Sequence, residues 1–156
     1  MQNTLFNGCY VKNCKCSFDL EIKESKIPEA GLGVFATTSI TCRGWVEYIG
    51  KYTTDVPTDG KYAWEIAAWD EDDGEPYRGG LRTGCVDAKD CTHWTKYVNC
   101  AMTVEEANLE KWQKYNRVYY SPLRDIDKGE ELLVYYGDSY VQWIKQKRYL
   151  FPVQVD

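Results

Sequence analysis

The sequence predicts one mainly β domain, an α+β arrangement with few and short helices. Three observations carry that reading. Apolar and polar residues alternate in a series of short runs, the period of a half-buried strand. Gly and Pro punctuate the gaps between those runs, where turns are needed. Only two places in the 156 residues open like a helix. A chain of this length supplies a single hydrophobic core, and no internal repeat or low-complexity linker divides it.

Residues 1–19 are polar and carry Cys9, Cys14 and Cys16; an irregular extension laid on the domain is expected there. The main domain is expected over residues 20–144, with a tail over 145–156. Leu20 to Glu24 alternates apolar and polar, a short strand. In Ile27-Pro28-Glu29-Ala30-Gly31-Leu32-Gly33-Val34-Phe35-Ala36, Pro28 forces an extended or turn backbone, and two glycines open a tight bend before a Val34-Phe35 strand. Gly44 to Tyr52 reads as one alternating strand, Thr53 to Gly60 as a loop, and Tyr62 to Trp69 as an aromatic strand. The acidic run Asp70 to Gly74 reads as a solvated turn. Gly79-Gly80 turns the chain again before a brief strand at Cys85-Val86-Asp87.

Thr103-Val104-Glu105-Glu106 matches a capping box, which predicts a helix to about Tyr115. Arg117 to Ser121 reads as a strand stopped by Pro122. Asp127 to Glu130 is a turn before Glu131-Leu132-Leu133-Val134-Tyr135-Tyr136, the strongest strand pattern in the chain. Asp138 or Ser139 can cap a last helix through about Lys147.

Composition narrows the function classes. Hydrophobic residues make up 44% and charged residues 28%, an ordinary globular balance. No run reaches the roughly 18 apolar residues of a membrane span, and residues 1–8 lack the basic-then-apolar order of a secretory signal. No membrane attachment and no secretion are therefore expected. Seven cysteines then read as reduced thiols of a nuclear or cytoplasmic protein. A net charge of −5 argues against direct nucleic-acid binding and suits a basic, lysine-rich peptide.

Few side chains can carry acid–base or metal chemistry. His93 is the one histidine, too little for a Ser-His-Asp triad or a multi-histidine metal centre, and its polar surroundings predict a surface position. Cys9, Cys14 and Cys16 crowd together without a C-x-x-C pair. A fourth ligand would have to come from Cys42, Cys85, Cys91 or His93, so zinc is not favoured over free thiols. Gly31-Leu32-Gly33 lacks the third glycine and following helix of a dinucleotide loop. Tyr97-Val98-Asn99-Cys100-Ala101 is the unusual stretch. An amide embedded among apolar residues must find hydrogen-bond partners or cost a few kcal/mol, so Asn99 is expected to hold something.

Taken together, three stretches in this order resemble the SET-domain protein lysine methyltransferases. They are Ala30-Gly31-Leu32-Gly33, Tyr97 to Ala101, and Gly129-Glu130-Glu131-Leu132-Leu133-Val134-Tyr135-Tyr136-Gly137-Asp138. The Ile27 to Val34 opening, Val86 to Asp90 running into Trp94 to Ala101, and Glu105 to Leu109 are similar to the PR/SET type in particular. The likeness extends over roughly residues 20–144.

The resemblance implies a SET fold of small β-sheets in which the Asn-bearing and Tyr-bearing segments pack in a C-terminal pseudoknot, a departure from ordinary unthreaded topology. It implies S-adenosylmethionine as methyl donor, against Ala30, Gly31, Leu32 and Gly33, with Asn99 and Cys100 as cofactor contacts and Tyr62 as a further one. Tyr136 matches the catalytic tyrosine, and Tyr48 and Tyr120 match two tyrosines of the lysine channel. The implied substrate is a lysine-bearing basic peptide such as a histone H3 tail, and the implied compartment the nucleus. Such chemistry asks for alignment and a neutral amine rather than many ionisable groups. A lysine titrates near about 10.4 in water, and an apolar channel beside a sulfonium pushes that value down.

Two departures stand out. Cys100 occupies a position where many relatives have histidine, and no cysteine follows Asp138, so the zinc-binding segment of some relatives is missing. The C-terminal helix and Tyr149-Leu150-Phe151-Pro152 are expected to close that side of the channel instead. A PR domain that no longer catalyses and serves as a protein-interaction module in transcription is the alternative reading.

Overall fold

The computed structural model describes residues 2–6, 9–13, 18–41, 44–55, 61–67 and 83–145. In chain order its strands are β1 (Gln2–Phe6), β2 (Cys9–Asn13), β3 (Leu20–Glu24), β4 (Leu32–Ala36), β5 (Val46–Glu47), β6 (Lys51–Thr53), β7 (Ala63–Ala67), β8 (Thr83–Asp87), β9 (Asn99–Cys100), β10 (Leu109–Lys114), β11 (Arg117–Pro122) and β12 (Leu133–Val134). A 3₁₀ turn covers Trp94–Tyr97, and one helix, α1, covers Asp138–Lys145. The expected mainly β architecture is what the chain adopts.

Three sheets divide the strands. The largest has the order β1-β2-β5-β11-β10-β12-β9; β3 and β4 form a hairpin, and β6-β8-β7 form the third. In the large sheet β12 runs parallel to both neighbours and lies between β10 and β9, although it is made after both. Just before it, residues 129–132 run along β4, with Gly129 N–H donating to the Ala36 carbonyl at 2.8 Å and Leu132 N–H to the Val34 carbonyl at 2.8 Å. The C-terminal segment thus ties two sheets together. Its alternating Leu132 and Val134 are fully buried with Val34, Phe35, Leu109, Val118 and Ile126.

Several sequence expectations give way to tertiary pairing. Residues 2–6 and 9–13, expected to be irregular, pair as antiparallel β1 and β2, and Asn13 of β2 pairs with Val46 of β5. The single strand expected over 44–52 divides. Val46–Glu47 pairs with β11, and Lys51–Thr53 with β8. The break falls at Gly50, where an added Cβ would lie 2.9 Å from the Asp87 backbone, so only glycine lets the chain pass from one sheet to the next. The strand over 131–136 is likewise shared, its first part bridging to Phe35 and only Leu133–Val134 entering the large sheet.

The helix expected from Thr103 does not form. Its box closes one turn: the Thr103 hydroxyl accepts from Glu106 N–H at 3.3 Å, and Ala107 N–H donates to the Val104 carbonyl. Ala107, Asn108 and Leu109 then bury, and Leu109 to Lys114 pairs residue by residue with β11. Six cross-strand pairs and an apolar anchor outweigh a local helical preference of a few tenths of a kcal/mol per residue.

His93 is not at the surface. It is 2% exposed, and its ring lies 5.4 Å from that of Trp94, which packs in turn on Phe18. Its Nδ1 accepts from the Thr95 N–H at 3.2 Å and from the Thr95 hydroxyl at 2.7 Å, while Nε2 has no partner among the described residues. Burial pulls its pKa down to about 4, so the ring is neutral at physiological pH.

Candidate functional site

The β3–β4 hairpin supplies the first wall. Ser25 N–H donates to the Gly31 carbonyl at 2.8 Å, and Gly31 has a φ of 76°, a left-handed backbone that glycine adopts without strain. Ala30, Gly31 and Leu32 thereby present main chain to a cavity of about 310 Å³. That volume falls at the lower end of small-molecule sites, roughly 300–1,000 Å³. Asn99 and Cys100 of β9 line the same cavity, and Tyr62 and Tyr136 border it. Six positions of the expected cofactor set, Ala30, Gly31, Leu32, Tyr62, Asn99 and Cys100, therefore meet at one cavity.

Gly33 does not line it. Its α-carbon lies against the Glu131 side chain, and an added Cβ would collide with a carboxylate oxygen. That carboxylate, 7% exposed, is an organising centre that the sequence reading missed. It accepts from the Ser25 hydroxyl at 2.7 Å, the Lys26 N–H at 3.0 Å and the Asn99 amide at 3.2 Å. The other Asn99 amide hydrogen goes to the Leu32 carbonyl at 2.9 Å. Asn99 is half-buried rather than sealed, and what it holds is the hairpin wall. The sealed amide is Asn108, which donates to the Glu131 carbonyl and accepts from Leu133 N–H, both at 2.9 Å. No alternation pattern marks Glu131, because the strand's apolar stripe runs through Leu132 and Val134 instead.

Tyr48, Tyr120 and Tyr136 come together, and Trp64 of β7 joins them. Tyr48 and Tyr120 rings lie 5.6 Å apart; the Trp64 ring is 4.4 Å from Tyr136 and donates its indole N–H to the Tyr120 hydroxyl at 2.6 Å. The Tyr48 hydroxyl donates to the Tyr62 carbonyl at 2.7 Å, and the Tyr136 hydroxyl to the Val98 carbonyl at 3.0 Å. Burial pushes all three hydroxyls above their ordinary pKa, helped by Asp87 beside Tyr48 and by their mutual proximity. They are neutral phenols at physiological pH. Tyr136 links the two halves of the site, since it borders the cavity on one side and packs on Trp64 on the other.

Two cations stand at the cavity edge around Tyr62. Lys96 Nζ is 4.5 Å from its ring centroid and Lys61 Nζ 5.2 Å. Lys96 also donates to the Lys89 carbonyl at 3.0 Å and the Cys91 carbonyl at 2.9 Å, which fixes the ammonium and leaves one of its three hydrogens. Among the described residues no three His, Cys, Asp or Glu side chains gather as a metal site, and Cys85, Cys91 and Cys100 are free thiols. Cys14, Cys16 and Cys42 lie outside the described residues, as do the acidic turn, the Gly79-Gly80 turn and the tail after Lys145.

Comparison with known proteins agrees with this geometry. A family model for the PR domain of PR domain zinc finger protein 2 matches residues 20–147. The chain is 34% identical to the human protein named histone-lysine N-methyltransferase PRDM7 over 86% of its own length, and 34% identical to the Caenorhabditis elegans protein named histone-lysine N-methyltransferase set-17 over 76%. It spans 26% of the first and 41% of the second. A solved structure described as the methyltransferase domain of human PR domain-containing protein 2 superposes with a TM-score of 0.54 at 29% identity, covering 80% of this chain and 81% of that one. The hairpin wall, the inserted β12 and the tyrosine cluster are thus parts of a PR domain, and the chain belongs to the PR/SET family of SET-domain methyltransferases.

Proposed function

We propose that the chain transfers a methyl group from S-adenosylmethionine to the amine of a lysine in a basic peptide, with a histone H3 tail as substrate and the nucleus as compartment. The observation that carries the proposal is the junction at Tyr136, where a ligand-sized cavity abuts a cluster of neutral tyrosines. The names of the relatives support the histone part of the reading.

The cavity walls fit such a cofactor. Main chain at Ala30 to Leu32 and the aromatic faces of Tyr62 and Tyr140 suit a heteroaromatic group, and Lys96 and Lys61 suit a carboxylate. When bound, S-adenosylmethionine supplies an electrophilic methyl on a positively charged sulfur. The residues of the chain do the rest by position. Tyr136, steered by the Val98 carbonyl, keeps its oxygen lone pairs for an amine N–H, and Tyr120 and Tyr48 fix the depth at which that amine stops. With every hydroxyl held above its ordinary pKa, none of the three tyrosines is the base. The lysine gives up its proton to water and arrives neutral, a form that removal from water favours.

Calorimetric titration with S-adenosylmethionine should show saturable 1:1 binding, and labelled cofactor with nucleosomes should mark a histone lysine. Tyr136→Phe should lower transfer by about 10²-fold while cofactor affinity stays within a factor of three. Full activity in that variant would remove Tyr136 from the mechanism. Absence of cofactor binding would leave the chain as an interaction module.

A further inference from the structure

Lys111 stands opposite Tyr120 in the β10–β11 register, and directly opposed residues share one face of a sheet. That face is the one carrying the tyrosine cluster, because Tyr120 is fully buried in it. The Lys111 ammonium reaches 4.5 Å from the centroid of the Trp64 ring. The same indole packs on Tyr136 and donates to Tyr120. One aromatic ring therefore separates a lysine of this chain from the two tyrosines proposed to receive a substrate lysine. Neither Trp64 nor Lys111 lines the cavity that Tyr136 borders, so the pair lies outside the space assigned to the cofactor. Among the described residues no carboxylate forms an ion pair with it. The contact with Trp64 is the attraction that orients it; the residue stays exposed to solvent, and partial desolvation lowers its pKa.

An ammonium on an indole face is also how an aromatic mouth greets an incoming lysine. Two ammonium groups cannot share one face without repulsion and lost hydration. We propose that Lys111 is an internal occupant of the lysine-reading mouth, a specificity element that a substrate lysine must displace from Trp64. It rests on the lysine methyl-transfer reading above and adds a selection rule to it. A bare lysine side chain competes poorly with Lys111, so productive substrates are those whose flanking residues add binding of their own.

The test uses the full chain and Nα-acetyl-lysine-N-methylamide, a lysine side chain without sequence, followed by the nitrogen shift of the Trp64 indole, assigned with Trp64→Phe. Lys111→Met, which keeps the apolar stem, should tighten the apparent affinity roughly three- to tenfold. Lys111→Arg should stay near the parent. Lys128→Met, on the exposed turn before β12, makes the same change in net charge and should stay within twofold. Equal affinity in Lys111→Met and the parent overturns the proposal, as does an equal gain in Lys128→Met. Absence of any Trp64 shift in all four proteins also overturns it. The methyl-transfer reading falls separately, by failure of S-adenosylmethionine to bind.

Discussion

Replacing Gly33 with alanine probes the buried carboxylate without touching a charge. The new methyl would sit on a Glu131 oxygen, 3.0 Å from Cδ and 3.2 Å from the Ser25 Cβ. Glu131 has to retreat, and its contacts with Ser25, Lys26 and Asn99 lengthen together. Hydrogen bonds to a buried charge contribute about 1.5–3 kcal/mol, and partial loss of three gives a destabilisation of roughly 2–4 kcal/mol. At about 2–4 °C per kcal/mol for a chain of this size, Tm should drop by roughly 5–15 °C by calorimetry. Cofactor affinity should fall as well, because Asn99 and the hairpin wall lose their common anchor. Gly31→Ala is the contrast: no atom lies within 4 Å of its added Cβ, and the cost is the left-handed backbone alone, about 1–2 kcal/mol. The decisive measurement is a double-mutant cycle with Glu131→Ala, which vacates the space. If the collision is the cause, the alanine methyl is nearly free in that background, with a coupling of about 2–4 kcal/mol. Strict additivity of the two changes would refute the reasoning.

His93 makes stability fall with acid. Its folded pKa of about 4 lies below the unfolded value of about 6.5, so the unfolded chain takes up the proton first as pH drops through that window. Urea unfolding should lose about 2 kcal/mol between pH 7.5 and pH 5, and His93→Leu should flatten that slope. Asn108→Ala leaves the Glu131 carbonyl and the Leu133 N–H without their side-chain partner, and should cost about 2–4 kcal/mol in the same assay. Lys96→Met should weaken S-adenosylmethionine roughly tenfold in calorimetry while 5′-methylthioadenosine, which lacks the amino-acid part, binds as before. An equal loss for both ligands would remove the carboxylate role.

The local elements with their own alternation or turn chemistry were legible in the chain. The hairpin from Leu20 to Ala36, the strands at 63–67, 83–87 and 117–122, and the helix from Asp138 follow from patterns a few residues long. What escaped depends on residues far apart. Thr103 to Glu106 has the same hydrogen bonds whether it starts a helix or closes a single turn, and the choice was made by the partner strand at 117–122. His93 lies in a largely polar run of sequence, yet it is buried against Trp94, which itself packs on the distant Phe18. The asparagine among apolar residues was a sound signal read at one position too few. Ala107-Asn108-Leu109 has the same character and holds the more deeply buried amide. Trp64 looked like one aromatic of a strand, and only the sheet packing brings its indole to Tyr120.

The placement of β12 has a consequence for how this protein comes into being. Cys100 and Leu109 both take their neighbour from Val134, residues that leave the ribosome only after more than a hundred others. Until then β9 and β10 stand with a strand-wide gap between them, and each presents unpaired peptide groups of the kind that recruit other chains. Tyr136 and Tyr140 emerge later still, so the cavity lacks both of these lining rings until then. Folding must wait for non-local pairing, which is slow. A nascent chain halted before residue 133 therefore carries the β1–β2, β3–β4 and β10–β11 pairs but lacks β12 and Tyr136, and its site stays incomplete.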